Sequence, residues 1–228
     1  MIRVLVADTV GDLATVLASG LGELFPLATF RAPDIPNGQR PHPHGVHVAS
    51  QILLPLANVP VEMHFFRAIG EGRADAMLDY VEEFGPFTLI QCSWGADRPT
   101  NPAFDPVFTQ AWEPWAERER DIFAKQQHII SFAAGNRDTR MGEFSDMGYP
   151  QRLLRGGAVI AGAHFRNGIV TPWSSDGESL MCCAGGANVL AYDPYAKDWL
   201  PVDGTSLASP RVAGCLLGLA QHSTFTTY

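Results

Sequence analysis

Short apolar runs that alternate with stretches of helical spacing constrain this chain more than any other feature. The runs are Ile2–Ala7, Val61–Phe66, Phe87–Cys92, His128–Ala133 and Ala158–Gly162. They are rich in β-branched and aromatic residues and read as near-continuous apolar segments, the pattern of strands buried on both faces. Helical patterns fall at Asp12–Leu24, His44–Leu54, Arg73–Phe84, Phe104–Lys125 and Ser206–Gln221. Strands separated by helices predict an α/β fold with a mostly parallel central sheet covered by helices on both faces. In such sheets, functional groups gather at the carboxyl ends of the strands. With 228 residues the chain is long enough for one such domain, expected to span 1–228. The stretches "RAPDIPNGQRPHPH" and "DRPTNPAFDP" read as long surface loops rather than linkers.

Charge and hydropathy remove several function classes. A formal charge of −8 argues against nucleic acid or an anionic membrane surface as the main partner. No apolar run approaches the roughly 18 residues of a membrane span. The opening "MIRVLVADTVGD" lacks the basic, apolar and small-residue order of a signal peptide and reads as a strand, which favours a cytoplasmic location. Cys92, Cys182, Cys183 and Cys215 form neither a C-x-x-C pair nor a zinc spacing, so four free thiols are expected.

Chemistry-bearing residues then appear at three expected strand or helix ends, and at the mouth of the last helix. Asp8 closes the first apolar run, where a partly buried carboxylate can orient a base; it also reads as a turn residue leading into the next helix. His44 opens a helical stretch, with His47 one turn on. An H-x-x-H pair lacks the i, i+4 spacing of the zinc-protease helix, so no metal is expected. Asn136 follows "FAAG" at a strand end, where a side-chain amide can donate to a developing oxyanion or simply occupy a turn. Ser206 lies in "VDGTSLASPRVAG", after Gly204 and Thr205 and before an apolar run with Pro210 near its start. Unpaired N–H groups and the positive end of a helix dipole gather there, which suits a nucleophile and equally suits an N-cap.

The order Asp, His, Ser resembles that of the subtilisin family rather than the chymotrypsin order. "HGVHVAS" is similar to the family's H-G-T-H-V-A-G motif, and "GTSLASPRVAG" resembles G-T-S-M-A-S-P-H-V-A-G. "AAGN" is identical to the oxyanion motif, and "VADTVGD" resembles the Asp motif less closely. The resemblance implies a three-layer subtilisin-like fold and a serine endopeptidase acting on peptide or protein substrates. It implies Ser206 as nucleophile, His44 as base, Asp8 as the residue orienting the imidazole and Asn136 as oxyanion donor. His47 matches a structural histidine. Because the Asp motif reads D-T-V-G-D, Asp12 stays open as the alternative to Asp8.

The same resemblance assigns Ser93, Trp94 and Gly95, and Ala133, Ala134 and Gly135, to extended segments flanking the substrate. It places Arg137 at the rim and Gly148 at the floor of the pocket for the side chain before the cleaved bond. A roomy pocket taking large apolar residues, and acidic ones unusually well, is expected unless Asp138 and Glu143 neutralise Arg137. Val46, Ser50, Leu207 and Arg211 replace the family's Thr, Gly, Met and His without removing a catalytic atom. The segment after His47 is too short for the family's calcium loop, so no metal or cofactor is expected. The sequence opens directly at the catalytic domain and ends soon after the Ser206 helix. It is thus read as lacking a propeptide and the usual last helices, with further domains or a partner chain outside it. Two other functions stand beside proteolysis. One is a macrocyclase or transpeptidase, in which the Trp112 and Trp115 region shields an acyl-enzyme; the other is a non-catalytic interaction module.

Overall fold

The computed structural model describes residues 1–10, 13–32, 42–70, 72–94, 105–136, 157–177 and 179–222. Strands β1 (Ile2–Asp8), β2 (Ala28–Arg31), β3 (Val61–Arg67), β4 (Leu89–Cys92), β5 (Ile129–Ala133), β6 (Ala158–His164) and β7 (Cys182–Gly185) form one sheet in the order β2-β3-β1-β4-β5-β6-β7. Every pairing in it is parallel. Strands β8 (Val189–Asp193) and β9 (Asp198–Val202) make a separate antiparallel hairpin. The helices are α1 (Leu13–Ala18), α2 (Leu21–Leu24), α3 (His44–Leu53), α4 (Arg73–Phe84), α5 (Asp105–Gln126) and α6 (Thr205–His222).

The continuous apolar runs follow from two cores, one on each face of the sheet. From β1, Leu5 and Ala7 join α4 and α5 through Met77, Val81, Trp115 and Ile122. The alternate residues Val4 and Val6 join α3 and α6 through Val48, Ile52, Ala213 and Leu217. Side chains of successive strand residues point to opposite faces, so a strand covered on both sides is apolar at most positions. The helices carrying His44 and Ser206 therefore share one layer. Gly214 sets how closely they approach, because a Cβ there would stand 2.7 Å from the Ile52 carbonyl oxygen.

The five expected strands are all present, within two residues at most ends, and α4 has the expected bounds. Three features differ. The pattern over Asp12–Leu24 breaks into α1 and α2 at Gly20, whose φ of +81° ends one helix and admits the next. Helix α3 ends one residue earlier than expected, at Leu53. Strands β2, β7, β8 and β9 were not expected; they are short and carry little of the apolar continuity that marks the central strands.

Candidate active site

Adjacent strands deliver the site residues to one edge of the sheet. Asp8 is the last residue of β1, Ser93 and Trp94 follow β4, and Asn136 lies just beyond β5. Helix α3 starts at His44 directly over that edge, and α6 starts at Thr205.

Asp8 is buried, and its Oδ1 accepts hydrogen bonds from His44 Nδ1 at 2.8 Å and from the Thr9 N–H at 2.7 Å. Thr9 staples this junction: its hydroxyl donates to the His42 carbonyl and accepts from the Gly45 N–H. An ionised carboxylate only accepts, so Nδ1 of His44 carries the proton and Nε2 is left as a base. Burial pushes the His44 pKa down, but the charge of Asp8 and its hydrogen bond more than offset this, and the net shift is upward. The imidazole is thus set to take up a proton. Asp12 lies outside the described residues.

Thr205 performs the same orienting work for the amide. Asn136 Oδ1 accepts from the Thr205 N–H at 2.8 Å and from the Thr205 hydroxyl at 2.9 Å, while that hydroxyl accepts from the Gly135 N–H at 3.1 Å. With its oxygen held on this side, the amide turns Nδ2 toward Ser206. A Cβ on Gly204, whose φ is +156°, would lie 2.7 Å from Ser206 Oγ and 3.5 Å from Asn136 Nδ2. Gly204 therefore keeps open a small space bordered by a hydroxyl and an amide donor. Ser206 lies inside the first turn of α6 rather than ahead of it, so the N-cap reading does not hold.

Pro210 sits inside α6, deeper than the first turn. It has no N–H to offer the carbonyl four residues back, which is that of Ser206. The Ser93 hydroxyl donates to that carbonyl instead, at 3.0 Å. Ser93 itself accepts from Gln91 Nε2, which also donates to Ser209, and Ser209 exchanges a hydrogen bond with Ser131. Gln91, Ser131 and Ser209 are fully buried, forming a polar floor beneath the nucleophile's turn.

One expectation needs correction. Trp115 is buried, donates its indole N–H to the Ala74 carbonyl, and packs with Trp112, Trp94 and Phe132. That cluster belongs to the core under α5, so these indoles do not form a cover over the site. Ala134 and Gly135, in a segment assigned to flank the substrate, bond within the protein. The Ala134 N–H is bonded to Ala161, the Gly135 N–H to Thr205, and the Gly135 carbonyl receives the Ser175 N–H. Ser93 and Trp94 follow β4, the strand beside β5. Gly95, Arg137 and Gly148 lie outside the described residues. His47 points away from the site, to Asp193 Oδ2 at 3.2 Å, and ties α3 to β8.

Among the described residues no group of three His, Cys, Asp or Glu side chains could hold a metal ion, and no helix is long and apolar enough to cross a membrane. Sequence reading missed Thr9 and Thr205. Each adjoins a recognised residue, and a short hydroxyl there was the available signal.

The chain resembles known proteins in sequence family and in fold. The sequence model of the Subtilase family matches residues 85–226, well over half of the chain. No curated protein sequence matches. Among solved structures, a lanthipeptide protease is similar with a TM-score of 0.68 at 20% identity, over 93% of this chain and 71% of that one. The PatG macrocyclase in complex with peptide reaches 0.71 at 15% identity, over 96% and 75%. A cold adapted subtilisin-like serine proteinase reaches 0.65 at 19% identity, over 98% and 76%. At these identities the structures speak for the fold alone. Together with the family match and the parallel sheet that brings Asp8 and His44 together, they place the chain in the subtilase family of serine proteases.

Proposed function

We propose that the chain is a serine endopeptidase in which Ser206 is the nucleophile. Its Oγ attacks the scissile carbonyl as His44 Nε2 takes the hydroxyl proton. Asp8 keeps Nδ1 protonated and stabilises the imidazolium. The negative charge forming on the carbonyl oxygen meets Asn136 Nδ2 and the Ser206 N–H, one of the helix donors with no intrahelical partner. His44 then returns the proton to the leaving amine, and water opens the acyl-enzyme.

The observation that carries this reading is the 2.8 Å contact between His44 Nδ1 and Asp8 Oδ1. It is what a base beside a hydroxyl nucleophile requires. A fluorophosphonate probe tests it: labelling is expected at Ser206, abolished by Ser206→Ala and nearly so by His44→Ala, with both variants folded. An unlabelled wild-type chain would make the protein a non-catalytic member of its family.

Transfer of the acyl group to an amine, giving a cyclic peptide, is the second reading, suggested by the likeness to the PatG macrocyclase. The indoles of α5 pack against the core, which supports hydrolysis as the first reading. Mass spectrometry of a peptide product separates the two, since hydrolysis adds the mass of water and cyclisation does not.

A further inference from the structure

A second cavity, of about 560 Å³, lies among β6, β7, the β8–β9 hairpin and α6, and none of the four proposed catalytic residues lines it. Its walls are largely apolar, from Leu54, Leu190 and Trp199, yet Arg166 and Arg211 both enter it. Arg211 is five residues beyond Ser206 on α6. Five residues advance a helix by about 7.5 Å and turn it by about 140°, so the two side chains leave α6 on well-separated sides.

Neither guanidinium has an ion-pair partner among the described residues, although the chain carries a net charge of −8. Two carboxylates adjoin the lining residues Trp199 and Asn188. Asp198 accepts from the Trp199 N–H and Asp203 from the Asn188 N–H. Arg166 rides on a turn closed by the Gly168 N–H to the Phe165 carbonyl at 2.9 Å, and Arg211 lies across Gly185, where a Cβ would stand 3.2 Å from its Nη1. Two guanidiniums with no ion-pair partner among the described residues, beside an apolar wall, suit a carboxylate borne next to an apolar group.

The sheet indicates what carries that carboxylate. Among the described residues β7 pairs only with β6, so its outer edge has no neighbouring strand. Gly185, the last residue of β7, lines the cavity. An extended backbone laid along this edge would deliver a side chain or a chain end into the pocket. The geometry points to a binding site for an extended peptide that presents a carboxylate to Arg166 and Arg211 and an adjacent apolar side chain to Trp199 and Leu190. It stands apart from the proteolytic reading, and its test involves no turnover.

The full-length Ser206→Ala chain is titrated by calorimetry, following the Trp199 indole resonance. The probes are acetyl-Leu-Glu-Leu-Val-amide, its Gln counterpart, acetyl-Leu-Gln-Leu-Val with a free carboxyl terminus, and 4-phenylbutyrate. The Glu peptide, the free-terminus peptide or both are expected to bind saturably and at least 10-fold tighter than the Gln amide. The tighter of the two identifies the source of the carboxylate. Arg211→Met is expected to weaken binding at least 10-fold, and Arg166→Met several-fold. Arg166 is on an exposed turn, so its variant reads out the site even if Arg211→Met fails to fold. Binding of neither the Glu peptide nor the free-terminus peptide more tightly than the Gln amide, phenylbutyrate binding as tightly as the peptides, or no effect of Arg166→Met would each overturn the proposal. Fluorophosphonate labelling of the Arg166→Met chain with Ser206 intact should equal that of the wild type.

Discussion

Two histidine–carboxylate pairs of nearly equal length, His44–Asp8 and His64–Glu62, behave in opposite ways. His44 meets Asp8 at 2.8 Å and His64 meets Glu62 at 2.7 Å, yet the His44 pKa is raised and that of His64 is lowered. Burial acts downward on both. What differs is who else shares the carboxylate. In the described structure Asp8 has only the neighbouring Thr9 N–H besides His44, so its charge acts on the imidazole undivided. Glu62 Oε1 is also within 3.3 Å of the guanidinium nitrogens of Arg3 and Arg31, and both arginines oppose a charge on His64. The remaining nitrogen differs as well. His64 Nδ1 faces the Tyr80 hydroxyl at 2.8 Å, and burial leads in pushing the Tyr80 pKa up to about 12, so that hydroxyl stays protonated and donates. One pair is left open to accept a proton; the other is saturated and neutral. A carboxylate beside a histidine makes a base only when nothing else claims the carboxylate.

The sharpest way to break this comparison is to remove the charge from each carboxylate in turn. Asp8→Asn is expected to lower the labelling rate of Ser206 by about 10⁴, because an amide no longer fixes the tautomer. Glu62→Gln should leave that rate within about 3-fold while costing stability of about 1–3 kcal/mol in urea unfolding, since the neighbouring cations lose their partner. A near wild-type Asp8→Asn beside a dead Asp12→Asn would move the orienting role to Asp12. A large rate loss in Glu62→Gln would mean that the two pairs are coupled.

Next comes the amide on the other side of the nucleophile. Asn136→Ala should lose about 10²–10³ in kcat, the range known for the equivalent donor in subtilisin. Thr205→Val keeps the N–H that holds Asn136 but removes the hydroxyl bond, and should lose about 10-fold, with Thr205→Ser restoring it. Loss confined to KM would show that Thr205 shapes the pocket rather than the oxyanion donor.

How legible this was in the sequence follows the same physics. The central strands and the helices stand out because burial on both faces demands apolar residues at most steps, as Val4, Leu5, Val6 and Ala7 show. Strand β7, "CCAG", and β9, "DWLPV", lie at an edge or in a hairpin and carry no such demand, so nothing in their residues announces them. His44, Asn136 and Ser206 were legible through motifs because the chemistry fixes their identity. Thr9, Thr205 and Ser93 act by where their hydroxyls fall in three dimensions, and a hydroxyl's partner 33 or 113 residues away cannot be read along the chain. The contrast between His44 and His64 was equally invisible, since it depends on Arg3 and Arg31 arriving from other strands.

A smaller effect separates the two histidines by pH. The folded pKa of His64 lies below its unfolded value of about 6.5, so the unfolded chain binds more protons as pH falls through that value. Stability from His64 is present above about pH 6.5 and is lost on acidification. His44 has the opposite sign: its folded pKa is raised, so its contribution is complete below about 6.5 and fades as pH rises through the folded pKa. His64→Gln is therefore expected to flatten the acid side of the stability curve, and His44→Gln the neutral side. Melting temperatures measured from pH 5 to 8 check it. Identical profiles for the two variants would undo the comparison.

The smallest effect tests the bond from Ser93 to the nucleophile's own carbonyl. Ser93→Ala leaves the Ser206 carbonyl without its side-chain donor, and Pro210 has no N–H to replace it. An acceptor left without a partner costs about 1–3 kcal/mol, expected here near the lower end because Ser93 is only partly buried. The nucleophile's turn should loosen as well, lowering the labelling rate a few-fold with no change in its pH dependence. Pro210→Ala supplies an N–H four residues beyond Ser206, where an intact α6 would place it against that same carbonyl. In the Pro210→Ala background, Ser93→Ala should therefore cost much less, a non-additivity of about 1 kcal/mol that a double-mutant cycle resolves. Strict additivity would mean that Ser93 serves Gln91 and the buried floor alone, and that the carbonyl of Ser206 needs no partner.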